Sequence, residues 1–510
     1  MTIATVRGRW TPILSAGVVA LAMALPVPVL AADESVTIVM PGQPDRLDPC
    51  ETPRSVIGRI IKQNVVETLV ELNYADGTTM PRLATGWEQT SPTEWVFSLR
   101  EGVTFHDGTP FDAGSVIYTL ERTLDPTLTC ITRTKYFDGN EITADAVDDH
   151  TVRFTTGAPI PILPTLLAQM AISSVNTPKG VYTESPIGTG PYAFVSWTQG
   201  QNVKIERNDD YWGEKPNIKD ATYIWRSESS VAAAMVKTGE ADLAFAIAPQ
   251  DADDPEIDKV YPNSETSMFR LTVDVAPMND LRVRKAINLA IDRRAFLGTI
   301  ISEEAQLATQ QVGPNVFGWN ADLVPWEYDP EEAMCLIVEA RAEGVPVDTE
   351  LRLIGRPAMF PNSSELVEAV AEMLRAVGFT VKLESLEMSL WLEEANKPFA
   401  ENRAPTLLLT MHDNNTGDAA FTAFFKYHSG GRQSELHNTE LDNLIIDAGT
   451  KSGKERKATY NEAFRMIYED IVSDVPLFHM VNYMRINPAI DFTPTIANAV
   501  ELQLSELKFR

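Results

Sequence analysis

The spacing of apolar residues in the second half of the chain alternates between helical and strand-like patterns. Apolar residues recur at helical spacing after Asp280 and after Asp329, where Pro330 and two acids follow an acceptor cap, as at a typical helix start. Thr406–Met411 is an apolar run, as a central buried strand would be. This order predicts an α/β fold in which helices cover a largely parallel sheet. The predicted helices are Asp280–Leu297, Asp329–Gly344, Ser364–Val377 and segments from Leu441 and Glu455, and the predicted strands are Leu351–Ile354, Phe379–Glu384, Thr406–Met411 and Leu477–Tyr483.

The first half of the chain has more hairpin-like patterns. A helix is predicted over Ser55–Leu72, and Asp112 is the expected cap of another. The predicted strands are Ser35–Met40, Glu94–Arg100, Tyr192–Trp197 and Asn202–Arg207, the last two joined as a hairpin. With 510 residues, the chain is too long for one hydrophobic core, so we expect two or more domains.

The first residues have the pattern of a signal peptide. Arg7 and Arg9 precede an apolar run from Pro12 to Leu30, and Val29-Leu30-Ala31 has the small-x-small pattern of a cleavage site. A membrane anchor is the alternative, but two prolines near the end of the run disfavour it. We therefore expect residues 1–31 to be removed and the mature protein to be soluble in the periplasm.

The charge of the chain is strongly acidic. The formal net charge of −28 argues against nucleic acid and against an anionic membrane surface as partners. Solubility alone explains this acidity, whereas a saline habitat or a cationic ligand would be a sharper explanation.

Three cysteines allow one disulfide and one spare thiol in an oxidising compartment. Cys50 and Cys130 lie in loop-like stretches of the N-terminal half, whereas Cys335 lies among apolar residues of a predicted helix. We expect a Cys50–Cys130 disulfide and a buried thiol at Cys335.

Common catalytic patterns are absent from the sequence, which contains no G-x-S-x-G, H-E-x-x-H, Walker lysine loop or C-x-x-C. Pro191 follows Gly188-Thr189-Gly190 and removes an amide that a phosphate-binding loop would need. The histidines are not spaced to share a helical face, so we expect no metal site. Because the catalytic patterns are missing, we also expect no cofactor and no enzyme activity. They are His106, His150, His412, His428, His437 and His479.

Several short motifs occur in a specific order. They are PRLA (Pro81–Ala84) with Trp87, LREGVTFHDGTPF (Leu99–Phe111), PIGTGPYAF (Pro186–Phe194), ERNDDYWGEKP (Glu206–Pro216), GEAD (Gly239–Asp242), LRVRKAINLAIDR (Leu281–Arg293) and YDPEEA (Tyr328–Ala333). In this order the chain resembles the family-5 extracellular solute-binding proteins, which serve dipeptide, oligopeptide and nickel ABC importers.

The resemblance implies a two-lobed clamshell of the type II periplasmic binding proteins, with the ligand enclosed between the lobes. Lobe I would comprise residues 32–272 and 483–510, with a subdomain at about 52–187, and lobe II residues 273–482. The chain would cross between the lobes near Phe269–Val275 and near His479–Tyr483.

The resemblance also suggests ligand-binding residues. Arg356 occupies the place of an arginine that takes the ligand carboxylate in dipeptide-binding relatives, and its planar guanidinium suits a carboxylate. A helix-capping or surface arginine is the alternative. His412 lies in the loop of this family that usually carries a tryptophan, so His412 or Met411 takes the place of that residue.

The acidic partner of a ligand amino group is usually an Asp in the same loop, HDNNTGDAAF. In this chain its position falls on Asn415, which cannot neutralise a buried ammonium group. Either Asp413 or Asp418 takes that role, or the ligand lacks a free amino terminus.

We therefore predict a monomeric receptor that captures a short peptide or similar small polar solute and delivers it to the membrane subunits of an ABC permease. A sugar, an opine-like conjugate or a nickel chelate is the alternative ligand. A secreted hydrolase and a sensory or chaperone-like binding protein are the alternatives from other classes.

Overall fold

The computed structural model describes residue 2 and residues 35–74, 77–137, 139–357 and 359–510. Apart from residue 2, the predicted signal peptide lies outside the described residues. From residue 35 onward the chain packs as one compact unit. The described residues include no helix long and apolar enough to cross a membrane.

The helices and strands are numbered in chain order. The helices are α1 Ser55–Ile61, α2 Ala113–Leu124, α3 Leu163–Leu167, α4 Ser229–Thr238, α5 Leu281–Leu289, α6 Pro330–Ala342, α7 Ser363–Ala376, α8 Met388–Ala395, α9 Ala419–Tyr427, α10 Thr439–Thr450 and α11 Gly453–Arg465. The strands are β1 Ser35–Met40, β2 Val70–Asn73, β3 Thr78–Pro81, β4 Ala84–Ser91, β5 Glu94–Leu99, β6 Ile142–Asp148, β7 Thr151–Thr156, β8 Tyr192–Thr198, β9 Asn202–Arg207, β10 Asp220–Trp225, β11 Leu243–Ile247, β12 Asp258–Leu271, β13 Gln306–Leu307, β14 Leu351–Gly355, β15 Val381–Ser385, β16 Thr406–Asp413, β17 Asp474–Ile486, β18 Ile490–Asp491 and β19 Lys508–Phe509.

One large mixed sheet runs through the molecule in the order β15-β14-β16-β12-β17-β11-β1-β10-β9-β8, and β13 pairs with β17. The strands β14, β15 and β16 are parallel, as predicted, whereas β12 and β17 are antiparallel to their neighbours. Strand β16 lies between β14 and β12 with its leucines buried, which agrees with the predicted central strand. A separate sheet of order β4-β5-β7-β6 lies within the N-terminal half.

The long strands β12 and β17 connect the two ends of the large sheet. One end of β17 pairs with β11, and one end of β12 pairs with β16. Their mutual register shifts between Pro262 and Thr266. The predicted crossing at His479–Tyr483 lies within β17, whereas the predicted crossing at Phe269–Val275 begins after the register shift in β12.

The described residues form several separate hydrophobic cores. One extends from Phe269 to Met480 around α5, α6, α7 and the parallel strands. Another joins β1 and α1 to the C-terminal residues Leu502, Leu504 and Leu507. The C-terminus therefore packs with the beginning of the described chain.

Two predicted helices end earlier than the periodicity suggested. The first ends at Ile61, because Asn64 turns away to bind Leu502 and Tyr192 through its side-chain amide and its carbonyl oxygen. The second ends at Leu289, because the buried Arg293 donates hydrogen bonds to the backbone of Asn288 and of β17. In both places tertiary contacts outweigh local propensity.

The helix starts were predicted correctly, and the environment of Cys335 was not. Asp112 accepts from the Ser115 amide at 2.9 Å in a capping box, and Asp329 accepts from the Glu332 amide at 2.9 Å. Cys335 is exposed, because α6 buries Ala333, Ile337 and Ala340 instead.

The two glycines of the PIGTGPYAF motif allow a close backbone contact. A β-carbon on Gly190 would lie 2.2 Å from the Asn64 carbonyl oxygen, and one on Gly188 would lie 2.0 Å from the Val65 carbonyl oxygen. We expect Gly190→Ala to lower the free energy of unfolding by about 1–3 kcal/mol, because the loop must move away. Urea denaturation measures this, and Gly86→Ala, which meets no atom within 4 Å, is the matched control. Equal stability of both variants would contradict the packing role of Gly190.

Candidate functional site

Three charged residues lie near one edge of the large sheet. Strands β14 and β16 are parallel, so their carboxyl ends point the same way, and Arg356 follows β14 while Asp413 ends β16. Strand β12 runs antiparallel to β16 and places Glu265 directly opposite Asp413. Residues directly opposite in an antiparallel pair point to the same face of the sheet, so the two carboxylates are neighbours.

A segment of the N-terminal half reaches this edge. Arg133–Phe137 forms a π-helical turn, and the Lys135 Nζ atom lies 2.5 Å from the Asp413 Oδ1 atom. The Tyr136 ring packs edge-on against Phe421, with ring centroids 6.4 Å apart. Gln169 donates a hydrogen bond to the Asn415 carbonyl oxygen at 3.2 Å. The charged site is therefore enclosed by residues from both halves of the sequence.

Lys135 and Asp413 stabilise each other as ions. Burial favours the neutral carboxyl of Asp413, but the Lys135 ammonium group outweighs this effect and lowers the pKa of Asp413. Burial likewise opposes the charge of Lys135, and Asp413 raises the pKa of Lys135 above its ordinary value. The side chain of Asp413 nevertheless keeps 34% of its surface exposed. Part of the Asp413 side chain therefore remains accessible to a solute.

Glu265 is a functional candidate that the sequence did not indicate. Burial and the neighbouring charge of Asp413 raise its pKa to about 7. Its carboxylate accepts a hydrogen bond from the Asn263 side-chain amide at 3.2 Å. An acid whose pKa is raised by burial and a like charge is typical of a ligand-binding or catalytic site. An isolated acid in the strand NSETSMF carries no pattern that would have identified it.

Arg356 lies over α8. Its Nη1 atom is 3.0 Å from the Met388 sulfur, and the centre of its guanidinium is 5.3 Å from the Trp391 ring centroid. Its Nε atom is buried and has no hydrogen-bond partner among the described residues. Burial lowers the pKa of Arg356, and the Glu265 carboxylate opposes this effect. An acceptor such as a ligand carboxylate would satisfy the Nε donor.

The other predicted ligand residues have partners within the chain. Asp418 caps α9 and forms a buried ion pair with Arg456, with distances of 2.5 and 2.7 Å. The Asn415 side-chain oxygen accepts from the Ser264 hydroxyl at 2.7 Å. The His412 ring stacks on Phe421, and burial lowers its pKa well below the ordinary value, so its imidazole is neutral.

A cavity of about 510 Å³ lies elsewhere, on the same three strands. Three of its lining residues are arginines, and each is paired with a carboxylate of the chain. The pairs are Arg270 with Glu435 at 3.0 Å, Arg352 with Glu384 at 2.8 Å and Arg403 with Asp274 at 2.8 Å. Volume alone therefore does not identify the site. Among the described residues, no group of three or more His, Cys, Asp or Glu side chains is arranged to hold a metal ion.

The structure brings Cys50 and Cys130 together. Both are buried free thiols in one small apolar cluster, and the Cys130 thiol donates to the Cys50 carbonyl oxygen at 3.3 Å. The hydrogen bond with the Cys130 thiol and burial both raise the pKa of Cys50. The disulfide remains a prediction.

Comparison with known proteins shows one family across most of the chain. The model of the bacterial extracellular solute-binding proteins, family 5 Middle, matches residues 78–431. Di/tripeptide-binding protein 2 of Pseudomonas aeruginosa is 25% identical, over 90% of this chain and 92% of the relative. The nickel-binding periplasmic protein of Escherichia coli is also 25% identical, over 94% and 95%.

Solved structures show the same fold. The structure of HbpA2 from Haemophilus parasuis superimposes with a TM-score of 0.81 at 20% identity, covering 93% of this chain and all of that one. The predicted fold class, a mixed α/β two-domain binding protein, is confirmed.

The Asp418–Arg456 pair predicts a structural role for Asp418. We expect Asp418→Asn to lower the free energy of unfolding by about 3–5 kcal/mol, because a buried guanidinium loses its carboxylate. Urea denaturation measures the loss, and the exposed Asp322→Asn is the control. A variant of unchanged stability that fails to bind ligand would instead make Asp418 a ligand residue.

The predicted disulfide has its own test. Peptide mapping of the protein isolated from the periplasm without reduction should give a linked peptide containing Cys50 and Cys130. Reduction should then lower stability by about 2–4 kcal/mol, because the unfolded chain loses a long closed loop. Cys335→Ser should leave both results unchanged. Three free thiols in the isolated protein would contradict the prediction.

Proposed function

The chain belongs to the bacterial extracellular solute-binding proteins of family 5, and from this premise we propose that it captures a small carboxylate-bearing polar solute, such as a short peptide, for an ABC importer. The ligand class is inferred from one observation: the buried Nε donor of Arg356 has no hydrogen-bond partner among the described residues. It lies at the sheet edge that also holds Glu265 and Asp413. A buried guanidinium donor favours a carboxylate over a neutral acceptor.

The enclosure of the site supports capture by closure. Lys135 and Asp413 form an ion pair between segments 278 residues apart in the sequence. Around it, Tyr136 contacts Phe421 and Gln169 contacts Asn415. In the proposed mechanism the two lobes close on the solute, and the permease recognises the closed form. The lobes would be residues 32–272 with 483–510, including a subdomain at about 52–187, and residues 273–482.

The setting of this activity is also proposed. The N-terminal pattern of residues 1–31 supports export to the periplasm, where a monomeric receptor would meet the membrane subunits of its importer. The relatives are named as binding proteins, one for di- and tripeptides and one for nickel. These names supply the compounds that a first binding screen should contain.

Thermal unfolding of the mature protein tests the proposed solute class. The compounds are di- and tripeptides, N-blocked peptides, sugars, opine-like conjugates and nickel chelates. A ligand at about 100 times its Kd should stabilise the protein by about 2.7 kcal/mol. Stabilisation by carboxylate-bearing compounds is the expected result. A response confined to sugars would overturn the carboxylate proposal.

The variant Arg356→Ala tests whether Arg356 binds the ligand carboxylate. We expect it to abolish the stabilisation by a carboxylate-bearing ligand, because the ligand carboxylate would remain desolvated without a charge partner. The control is Arg341→Ala, which removes an exposed arginine paired with the exposed Asp348. If the ligand stabilises Arg356→Ala as much as it stabilises the wild-type protein, Arg356 does not bind the ligand carboxylate.

A further inference from the structure

The two carboxylates at the sheet edge are not equivalent. Asp413 has the Lys135 ammonium group 2.5 Å away. Glu265, directly opposite on β12, has no cation within 4.0 Å among the described residues, and its side chain is hydrogen-bonded by a neutral amide. The edge therefore has two carboxylates and one directly bound cation.

None of the nearby cations forms an ion pair with Glu265 among the residues that the structure describes. Arg59 of α1 influences Glu265 electrostatically, but it donates to the carbonyl oxygens of Asn498 and Ala499 at 2.9 and 2.7 Å. Arg356 contacts Met388 and Trp391. Lys135 is bound to Asp413. The half-buried carboxylate of Glu265 therefore has no ionic partner among the described residues.

We propose that Glu265 receives the positively charged group of the solute while Lys135 keeps Asp413 occupied. This inference rests on the proposed function and narrows the solute to a zwitterion, whose carboxylate binds Arg356. Glu265 is then the residue that selects for the cationic group, in place of the loop Asp that Asn415 replaces. The carboxylate of Glu265 gains an ionic partner only when the solute is bound.

The proposal predicts a pH dependence. Because burial and Asp413 raise the pKa of Glu265 to about 7, the carboxyl is largely protonated at pH 6 and largely ionised at pH 8. A cationic ligand lowers that pKa, so binding releases a proton and affinity rises with pH through about 7. Arg59 and Lys135 oppose this rise in the pKa of Glu265 but do not cancel it.

Ligand-free stability tests the charge assignment. Glu265→Gln removes an unmatched charge, so the melting temperature should rise at pH 8 and change little at pH 5, where the carboxyl is already neutral. Asp413→Asn leaves Lys135 unpaired and should lower the melting temperature at both values. The exposed Glu350→Gln is the control and should change neither. A lower melting temperature for Glu265→Gln at pH 8 would overturn the assignment.

Calorimetric titration tests the ligand, with alanyl-alanine and N-acetyl-alanyl-alanine as probes. The wild-type protein should bind the free dipeptide at least about tenfold more tightly, with proton release at pH 7, and Glu265→Gln should abolish both the preference and the proton release. Equal binding of both probes, or an undiminished preference in Glu265→Gln, would overturn the inference and leave the receptor function intact. If neither probe binds, the solute is not a dipeptide. The melting temperatures still show which of the two carboxylates lacks an ionic partner.

Discussion

The pairing of β12 with β17 fixes the part of the large sheet from which Glu265, Asp413 and Arg356 project. These strands are hydrogen-bonded from Asp258–Arg485 to Arg270–Asp474, and β16 and β14 follow from β12 in the sheet. Because side chains alternate between the two faces, a slip of one residue in β12 would turn Glu265 away from Asp413. The register shift between Pro262 and Thr266 occurs at this point. Irregular strand pairing next to a functional site commonly changes the direction of a side chain.

Glu67 and Glu265 are two carboxylates of this protein with different kinds of partners. Glu67 accepts hydrogen bonds from Arg82, Tyr211, Trp212 and Thr189, all between 2.7 and 2.9 Å. Such an acid is fully satisfied and holds parts of the fold together. Glu265 accepts from one neutral amide and lies beside another carboxylate, an arrangement that disfavours its ionised form. A fold retains such a group at a loss of stability where the group has a function.

The elements predicted correctly from the sequence are those whose signal is local. The caps at Asp112 and Asp329 lie within three residues of the amides that they bind, and the leucines of β16 are adjacent. The helix after Ser55 was too long in the prediction, because its end depends on Leu502, more than 400 residues away. Periodicity contains no information about such a contact.

The candidate site shows the same limit. Arg356 and the loop after β16 could be proposed because motifs resemble those of a known family. Lys135 could not, because its role depends on Asp413, 278 residues later. Lys135 pairs with Asp413, and Arg456 pairs with Asp418. The absence of the usual Asp from this loop is therefore not made good by a neighbouring acid of the same loop. Neither remaining acid of the loop is available, and the adjacent strand supplies Glu265 instead.

The distribution of charge explains how closure can depend on the solute. The Lys135–Asp413 pair joins the two halves of the sequence through groups of the chain itself, so this contact does not by itself depend on the solute. A solute shifts the equilibrium towards the closed form only if its contacts are more favourable there than in the open form. Glu265 and Arg356 are suited to that role, since neither forms an ion pair with another of the described residues. In the proposed complex each of these two groups gains an ionic partner from the solute.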